Sequence, residues 1–228
     1  NSAGRMGAPG TATRLFLAEA LEEIEGLVAE LFELDTRRRA LGEGAWTAVL
    51  AQARAGFDAS GGRCVLVHDA RIPRGITGIL ASRLQGFFKC PAVVVAESAD
   101  RAVGSIRASA EGFIAGFFAR FARRFSASGG HDFAGGFSLP RDALEGFLAD
   151  YAAHVGEMEP PGAVEETLAI DAEVPPAYLT PDLVKVVDLF EPYGEGNPHL
   201  LFLTRGLKVA QCELIGRREM VHLKLLFD

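Results

Sequence analysis

The first part of the chain has the apolar spacing of an amphipathic helix. Apolar residues recur three or four positions apart over residues 11–39, and glutamates occupy many of the positions between them. The apolar positions are Leu17, Leu21, Ile24, Val28 and Leu31. This spacing predicts one long helix over residues 11–39. Gly42 and Gly44 should end it before a shorter helix over residues 46–55, so we interpret residues 11–60 as a connecting helical region.

The middle of the chain alternates short apolar runs with helical patterns. The predicted elements are strands over residues 64–68, 92–96, 102–107 and 136–139, and helices over residues 75–88 and 142–155. Two continuous apolar strands joined by a helix are typical of a βαβ unit with a buried sheet. The pattern therefore predicts an α/β (α+β) domain over residues 61–157.

A stripe of phenylalanines precedes the last of these strands. Phe113, Phe117, Phe121 and Phe125 are spaced four residues apart, so they share one face of a helix. Such a stripe could serve as a platform for stacking nucleic-acid bases. We interpret it as core, because aromatic residues on one helical face usually pack inward.

Proline pairs mark a boundary after this domain. Pro160-Pro161 and Pro175-Pro176 bracket an acidic stretch, which predicts a linker over residues 158–180. The predicted elements here are a strand over residues 167–174, a helix over 181–190, and strands over 200–203, 207–215 and 220–227. Consecutive strands with short turns favour an antiparallel barrel or sandwich. We expect residues 181–228 to form part of such a domain.

Composition and charge narrow the classes of protein. The 228 residues are 49% hydrophobic and 23% charged, as in folded globular domains. No apolar run approaches the roughly 20 residues that span a bilayer, and no secretory signal is evident, so we expect a cytoplasmic protein without membrane contact. The net charge of −7 does not exclude a nucleic-acid partner, because residues 101–124 hold five arginines and one glutamate.

The residue types that bind metals are scattered. Cys64, Cys90 and Cys212 form no CxxC pair, which favours a reducing compartment and argues against structural zinc. The five histidines are also widely separated, and phosphate-loop, zinc-peptidase and hydrolase motifs are missing. We therefore predict no metal site from this sequence by itself. The chain begins without methionine and ends in an apolar run, so we expect it to be a piece of a longer protein.

A glycine pair followed by histidine is the first candidate for chemistry. In the segment Ser128-Gly129-Gly130-His131, glycines let backbone N–H groups turn towards an anion that the imidazole also reaches. This arrangement suits a phosphate oxygen. The same residues also fit an ordinary glycine-rich turn whose histidine caps a carbonyl group.

Two further segments place arginine next to hydroxyl groups. Gly104, Ser105 and Arg107 lie at the end of a predicted strand, and an arginine flanked by hydroxyls can hold a phosphate in a bidentate manner. Ser82 and Arg83 lie on a predicted helix. For both segments the alternative is an arginine that is only solvated at the protein surface.

Five short motifs follow one another along the chain. They are Asn1-Ser2-Ala3-Gly4-Arg5, Gly78-Ile79-Leu80-Ala81-Ser82-Arg83, Gly104-Ser105-Ile106-Arg107, Gly129-Gly130-His131 and Pro192-Tyr193-Gly194-Glu195-Gly196-Asn197-Pro198. In this order they resemble the RecJ family of single-stranded-DNA-specific exonucleases. The ending His222-Leu223-Lys224-Leu225 fits the oligonucleotide-binding (OB) domain of that family. Together they span nearly the whole chain.

The resemblance implies a fold and a division of labour. It implies a DHHA1-type mixed sheet with flanking helices, after a long connecting helix and before the start of an OB-like β-barrel. Family members bind Mn²⁺ or Mg²⁺ through an N-terminal DHH domain, of which only the last motif, within residues 1–10, matches here. Since the metal-binding aspartates are missing from this sequence, we expect this chain alone to bind no metal and to be inactive.

The resemblance also assigns roles to single residues. It implies that Arg107 anchors a phosphate with Gly104 and Ser105, and that His131, with Gly129 and Gly130, contacts the phosphate that is cleaved. Ser82 and Arg83 would bind the DNA backbone from their helix. Asn1 and Arg5 would complete the binding surface. The implied partners are single-stranded DNA and a helicase or single-strand-binding protein, in DNA repair and recombination with 5′→3′ polarity.

The sequence departs from the family pattern at three places, and two other functions stay open. Pro73-Arg74 replaces a usual Trp-His, Ala108 stands where serine often follows the motif arginine, and Ala134-Gly135-Gly136 replaces Ala-Ala-Gly. Arg74 would compensate as an additional phosphate contact. The alternatives are a DHH-family phosphodiesterase for nanoRNA or cyclic dinucleotides, and a non-catalytic nucleic-acid-binding module. The strands after residue 180 favour the nuclease.

Overall fold

The computed structural model describes residues 1–158, 167–217 and 220–227. By its internal contacts the chain divides into two units, Asn1–Ala163 and Val164–Asp228, and each unit is described by itself. In the described part of the chain, every helix is too short or too polar to cross a lipid bilayer.

Three helices open the first unit: α1 (Ser2–Arg5), α2 (Pro9–Leu17) and α3 (Leu21–Ala59). The predicted single helix over residues 11–39 is wrong, because the backbone is extended at Ala18 and Ala20. The predicted break at Gly42 and Gly44 is also wrong, since α3 continues through both. Each glycine costs about 1 kcal/mol in a helix, and packing of the flanking residues, with Val49 buried, offsets that cost.

A five-stranded mixed sheet forms the centre of the first unit. Its elements are β1 (Val65–Asp69), α4 (Thr77–Phe88), β2 (Ala92–Glu97), β3 (Arg101–Arg107), α5 (Phe113–Phe121), β4 (Ala127–His131), β5 (Ala134–Pro140) and α6 (Leu144–Glu157). The strand order is β1-β2-β3-β5-β4, in which β1 and β2 are parallel and the other pairs are antiparallel. The predicted βαβ unit is confirmed, as is the α/β class with a mixed sheet after a long helix.

The two faces of the sheet pack against different helices. One face packs apolar residues of β1 and β2 against α3 and α4, around Ile76 and Leu84. The other face packs against α5 and α6, and its centre is aromatic. Phe117, Phe121 and Phe147 are buried there, with ring centroids 5.1–6.3 Å apart. The phenylalanine stripe is therefore core, as its spacing predicts.

In the described residues of the second unit there are one α-helix and four strands. They are β6 (Ala172–Glu173), α7 (Pro181–Asp188), β7 (Phe202–Leu203), β8 (Val209–Arg217) and β9 (Met220–Phe227). β6 pairs with β7 in parallel, and β8 pairs with β9 in antiparallel. The predicted strand over residues 167–174 is reduced to the two residues of β6, because only residues next to β7 find backbone partners. The limits of the sequence-assigned domains and linker stay predictions.

Candidate nucleic-acid interface

The alternation of side chains along β3 separates the candidate residues onto two faces. Ser105 and Arg107 point to the face that carries α4, whereas Gly104 and Ile106 point to the aromatic core. A Cβ atom at Gly104 would lie 2.1 Å from Cζ of Phe137. The structure thus places Gly104 in close packing with a phenyl ring, on the side away from Arg107.

Strand pairing brings Arg107 and His131 into one row of the sheet. Arg107 is paired with Ala134 on β5, and Ala134 is paired with His131 on β4. Directly paired residues in an antiparallel sheet share a face, so His131 lies on the Arg107 face, about 10 Å away across two strand spacings. Two residues that are 24 positions apart in sequence are therefore brought to one end of one surface.

The next row of this face has almost no side chains. Ser105 is paired with Gly136, and Gly136 with Gly129. A Cβ atom at Gly129 would meet nothing within 4 Å, and one at Gly136 would meet only a backbone oxygen at 3.7 Å. We call this bare strip of β3, β5 and β4, together with Ala127 and Ser138 in the row beyond, the sheet trough.

Helix α4 forms a wall beside the trough and holds Arg107. The Arg107 Nε donates to Ser82 Oγ at 3.1 Å, and its Nη1 donates to the carbonyl of Ile106 at 2.8 Å. A Cβ atom at Gly78 would lie 2.9 Å from Arg107 Nη2, so the guanidinium rests directly on the helix backbone. Ser105 Oγ lies 2.9 Å from Thr77 Oγ1. Ser82, Ser105 and Arg107 thus lie close together.

Among the described residues, no carboxylate balances the charge of Arg107. Its guanidinium is half-buried and makes no ion pair with any residue in the described ranges. Burial lowers the pKa of Arg107, and the nearby charge of Arg5 lowers it further. Burial of a cation without a counter-ion is unfavourable, and a bound anion would relieve it. Arg107 and Arg5 together therefore form a site that favours an anion.

Arg5 reaches this surface because α1 lies against the start of α4. The Arg5 Nη1 donates to the carbonyl of Gly75 at 3.5 Å. A Cβ atom at Gly75 would overlap the backbone oxygen of Arg5, so only glycine permits this approach. Gly75 and Gly78 accommodate the two arginines, and Thr77 contacts Ser105. Sequence analysis missed these three roles, although the three-residue glycine spacing at a helix start is a visible signal.

Two predicted residues lie apart from this group. Arg83 follows Ser82 on α4, but its Nη1 donates to Glu43 Oε1 at 2.7 Å and its guanidinium lies 4.2 Å from the ring centroid of Trp46. It therefore faces α3 rather than Arg107. Asn1 precedes α1, and its side chain lies beside Gly4 without a hydrogen bond to the residues of the trough.

The Gly-Gly-His segment is an edge strand rather than a turn. Residues 127–131 form β4, which among the described strands pairs only with β5, and the connecting turn lies at Asp132-Phe133. A Cβ atom at Gly130 would lie 2.4 Å from the carbonyl oxygen of Ala134, so glycine is needed for the two strands to approach. His131 is exposed at the end of this strand. An ordinary glycine-rich turn, the alternative that the sequence left open for this segment, therefore does not describe its local structure.

The described residues of this surface do not bring metal ligands together. Within the ranges that the structure describes, no three His, Cys, Asp or Glu side chains are grouped as a metal site requires. The residues present do not fit a divalent cation, and we assign no metal-dependent step to them.

Comparisons with known proteins agree with this architecture. The DHHA1 domain family matches residues 61–157, and the RecJ OB domain family matches residues 170–228. The single-stranded-DNA-specific exonuclease RecJ of Thermus thermophilus is 32% identical over 213 residues, which cover 90% of this chain and 29% of that protein. The RecJ exonuclease of Escherichia coli is 26% identical over 100% of this chain and 40% of that protein.

Solved structures show the same likeness. The crystal structure of Thermus thermophilus RecJ in complex with Mg²⁺ superposes with a TM-score of 0.78 at 28% identity, covering 99% of this chain and 34% of that one. A structure of exonuclease RecJ bound to manganese gives a TM-score of 0.60 at 27% identity, over 70% of this chain and 39% of that one. The chain thus spans 29% to 40% of the length of the two exonucleases named above. With a DHHA1 domain followed by a RecJ OB domain, this chain belongs to the RecJ family.

Proposed function

We propose that this chain is the DNA-holding part of a single-stranded-DNA-specific exonuclease, which hydrolyses phosphodiester bonds in DNA repair and recombination. The observation that carries the proposal is the half-buried guanidinium of Arg107, which has hydroxyl and carbonyl partners but no carboxylate among the described residues. A nuclease without base-sequence preference binds its substrate through contacts to the phosphates. Arg107, Ser105 and Arg5 supply the donors for such a contact.

His131 is proposed as the residue that contacts the phosphate to be cleaved. It lies in the same row of the sheet as Arg107, is exposed, and stands at one end of a strip with no side chains above Gly129 and Gly136. A polynucleotide backbone needs this open room, because the phosphate and sugar must approach the sheet closely. Gly104 and Gly130 support the proposal indirectly, since they permit the close packing of the strands beneath.

We propose that hydrolysis needs metal-binding residues other than those that the structure describes. Crystal structures of related exonucleases contain Mg²⁺ or manganese. In many nucleases a pair of such ions activates water and stabilises the leaving oxygen. Since the described residues of this chain group no metal ligands, we propose that the chain by itself binds DNA without cleaving it. A 5′→3′ polarity and cooperation with a helicase or a single-strand-binding protein in the cytoplasm are part of the same proposal.

Binding and cleavage can be tested together with one fluorescent 12-nucleotide strand. We expect the chain to bind this strand more tightly than the same sequence in a duplex, since a duplex cannot lay one backbone along the sheet. With Mn²⁺ added, we expect no release of mononucleotides over hours. Equal affinity for the duplex would contradict the proposed substrate, and manganese-dependent release of mononucleotides would contradict the proposed inactivity. Tight binding of cyclic dinucleotides with no binding of the strand would favour the phosphodiesterase alternative.

A further inference from the structure

A second pair of arginines lies at the other end of the sheet trough. Arg74, which precedes α4, and Arg101, which begins β3, line a shallow depression of about 390 Å³. Ser138, two residues along β5 from Gly136 and on the same face, lines it as well, and its hydroxyl group makes no side-chain hydrogen bond within the described ranges. The depression therefore presents two cations and one free hydroxyl donor, which is the chemistry that binds a phosphate group.

Little holds the two arginines in other contacts. The Arg74 side chain is exposed and has no ion pair with a described residue. Arg101 donates to Asp100 Oδ2 at 3.2 Å, with both side chains more than half exposed. Exposed ion pairs of this kind contribute about 0–1 kcal/mol, so Arg101 can exchange its carboxylate for a ligand at small cost. Asp100 is the one carboxylate that an ion pair places beside this depression in the described structure.

The distance between the two ends is set by β3. Arg101 and Arg107 are six residues apart and point to the same face, so about 20 Å separates their Cα atoms. Between them β3 contributes Val103 and Ser105 to this face, and the neighbouring strands contribute glycine, alanine and serine; an added Cβ atom would meet nothing within 4 Å at Gly129 and only a backbone oxygen at 3.7 Å at Gly136. Beside these two side chains, Gly136 and Gly129 leave an open row on β5 and β4 between the two ends.

We propose that Arg74 and Arg101, with Ser138, form a distal phosphate subsite for the same single strand that Arg107 anchors. This proposal rests on the proposed function and adds a second site at which the DNA strand is bound. A stacked strand advances about 3.4 Å per nucleotide and an extended strand about twice as far, so the two sites are roughly three to six nucleotides apart. Contacts at both ends are to the backbone, which makes the grip independent of base sequence.

Oligonucleotides of two lengths distinguish binding at one site from binding at both sites. A thymidine dinucleotide with a 5′-phosphate is too short to reach from Arg107 to Arg101, whereas an octanucleotide spans both. For the double variant Arg74→Gln and Arg101→Gln we expect octanucleotide affinity to fall roughly tenfold and dinucleotide affinity to stay within about twofold of the original. The salt dependence of octanucleotide binding should also flatten by about 0.7, the value for one lost phosphate contact on a single strand. Arg54→Gln is the matched control, because Arg54 is exposed on α3 and lines neither end.

The Arg107→Gln variant distinguishes failure of this proposal from failure of the proposed function. If Arg107→Gln weakens both oligonucleotides while the double variant binds the octanucleotide like the Arg54→Gln control, the distal subsite is wrong and the phosphate anchor stands. If Arg107→Gln changes neither affinity, or if the original chain binds neither oligonucleotide, the proposed function is wrong and the subsite is wrong with it. Loss of octanucleotide affinity in the double variant alone supports the subsite. Trp46 fluorescence verifies that each variant is folded.

Discussion

Replacing Gly104 by alanine tests the packing beneath the proposed phosphate site. A methyl group at this position would lie 2.1 Å from Cζ of Phe137 and 2.5–2.6 Å from the two adjacent ring carbons. The ring has little freedom to withdraw, because it stacks on Phe125 at 4.5 Å and lies 5.5 Å from the ring of Phe147. The added methyl group must therefore shift β3 or the aromatic core.

The magnitude follows from two opposing effects. Insertion of a methyl group into a packed core costs about 1–3 kcal/mol. Substitution of glycine by alanine returns about 0.4–1 kcal/mol, because the unfolded chain loses freedom. Since 2.1 Å is far below normal contact, we expect a net loss of about 1–2.5 kcal/mol in the free energy of unfolding. For a unit of this size that corresponds to a fall in Tm of roughly 2–10 °C.

The single tryptophan makes the assay specific to the first unit. Trp46 lies on α3, so its fluorescence during urea or thermal unfolding reports on the sheet domain and not on the second unit. Gly136→Ala is the matched control, because its methyl group meets nothing closer than 3.7 Å. It should be as stable as the original chain or slightly more stable. If Gly104→Ala unfolds at the same urea concentration as Gly136→Ala, the close packing against Phe137 is refuted.

Three other predictions concern the core, an ion pair and the thiols. Phe121→Ala should lower the free energy of unfolding by about 3–5 kcal/mol in urea titrations, because Phe121 is buried. The control Phe133→Ala, at an exposed position, should change it by less than about 0.5 kcal/mol. Similar losses in the two variants would contradict the assigned core. Hydrogen bonds from Arg71 lower the pKa of Asp69 from 3.8 to about 2, so its contribution to stability is present above about pH 4 and lost as the pH falls to 2. Urea midpoints should accordingly fall less over this range for Asp69→Asn than for the original chain, and equal slopes would contradict the pair. A thiol reagent should label only Cys212 within minutes in the folded chain and all three cysteines in denaturant, and rapid labelling of a second thiol would contradict the burial of the others.

Local sequence patterns predicted the elements in which apolar residues are regularly spaced along one strand or helix. The apolar runs of β1 and β2 and the phenylalanine stripe of α5 are of this kind, because a residue on a buried face must be apolar in any packing arrangement. The break between α2 and α3 was missed because alanines occupy it and alanine favours helix. The continuation of α3 through Gly42 was missed because it depends on packing against distant elements.

The candidate site was predictable in its residues but not in its geometry. Arg107 and His131 are visible in their motifs, yet only the pairing of β3, β5 and β4 places them in one row. Arg83 has the same motif support as Ser82, and its contacts with Glu43 turn it to the other side of the helix. The sheet trough is formed by glycines on one face of the sheet. A glycine pattern in the sequence does not show which of these glycines face open space.

The most direct test of the account is the effect of Arg107→Gln on the affinity of this chain for a 5′-phosphorylated single strand, measured over a range of salt concentrations. Loss of a charge-assisted phosphate contact should cost about 1.5–3 kcal/mol, which is roughly a 10- to 150-fold weaker Kd. The slope of log affinity against log salt should become shallower by about 0.7. An unchanged affinity and slope, in a variant whose Trp46 fluorescence shows a folded first unit, would contradict the assignment of Arg107 as the phosphate anchor.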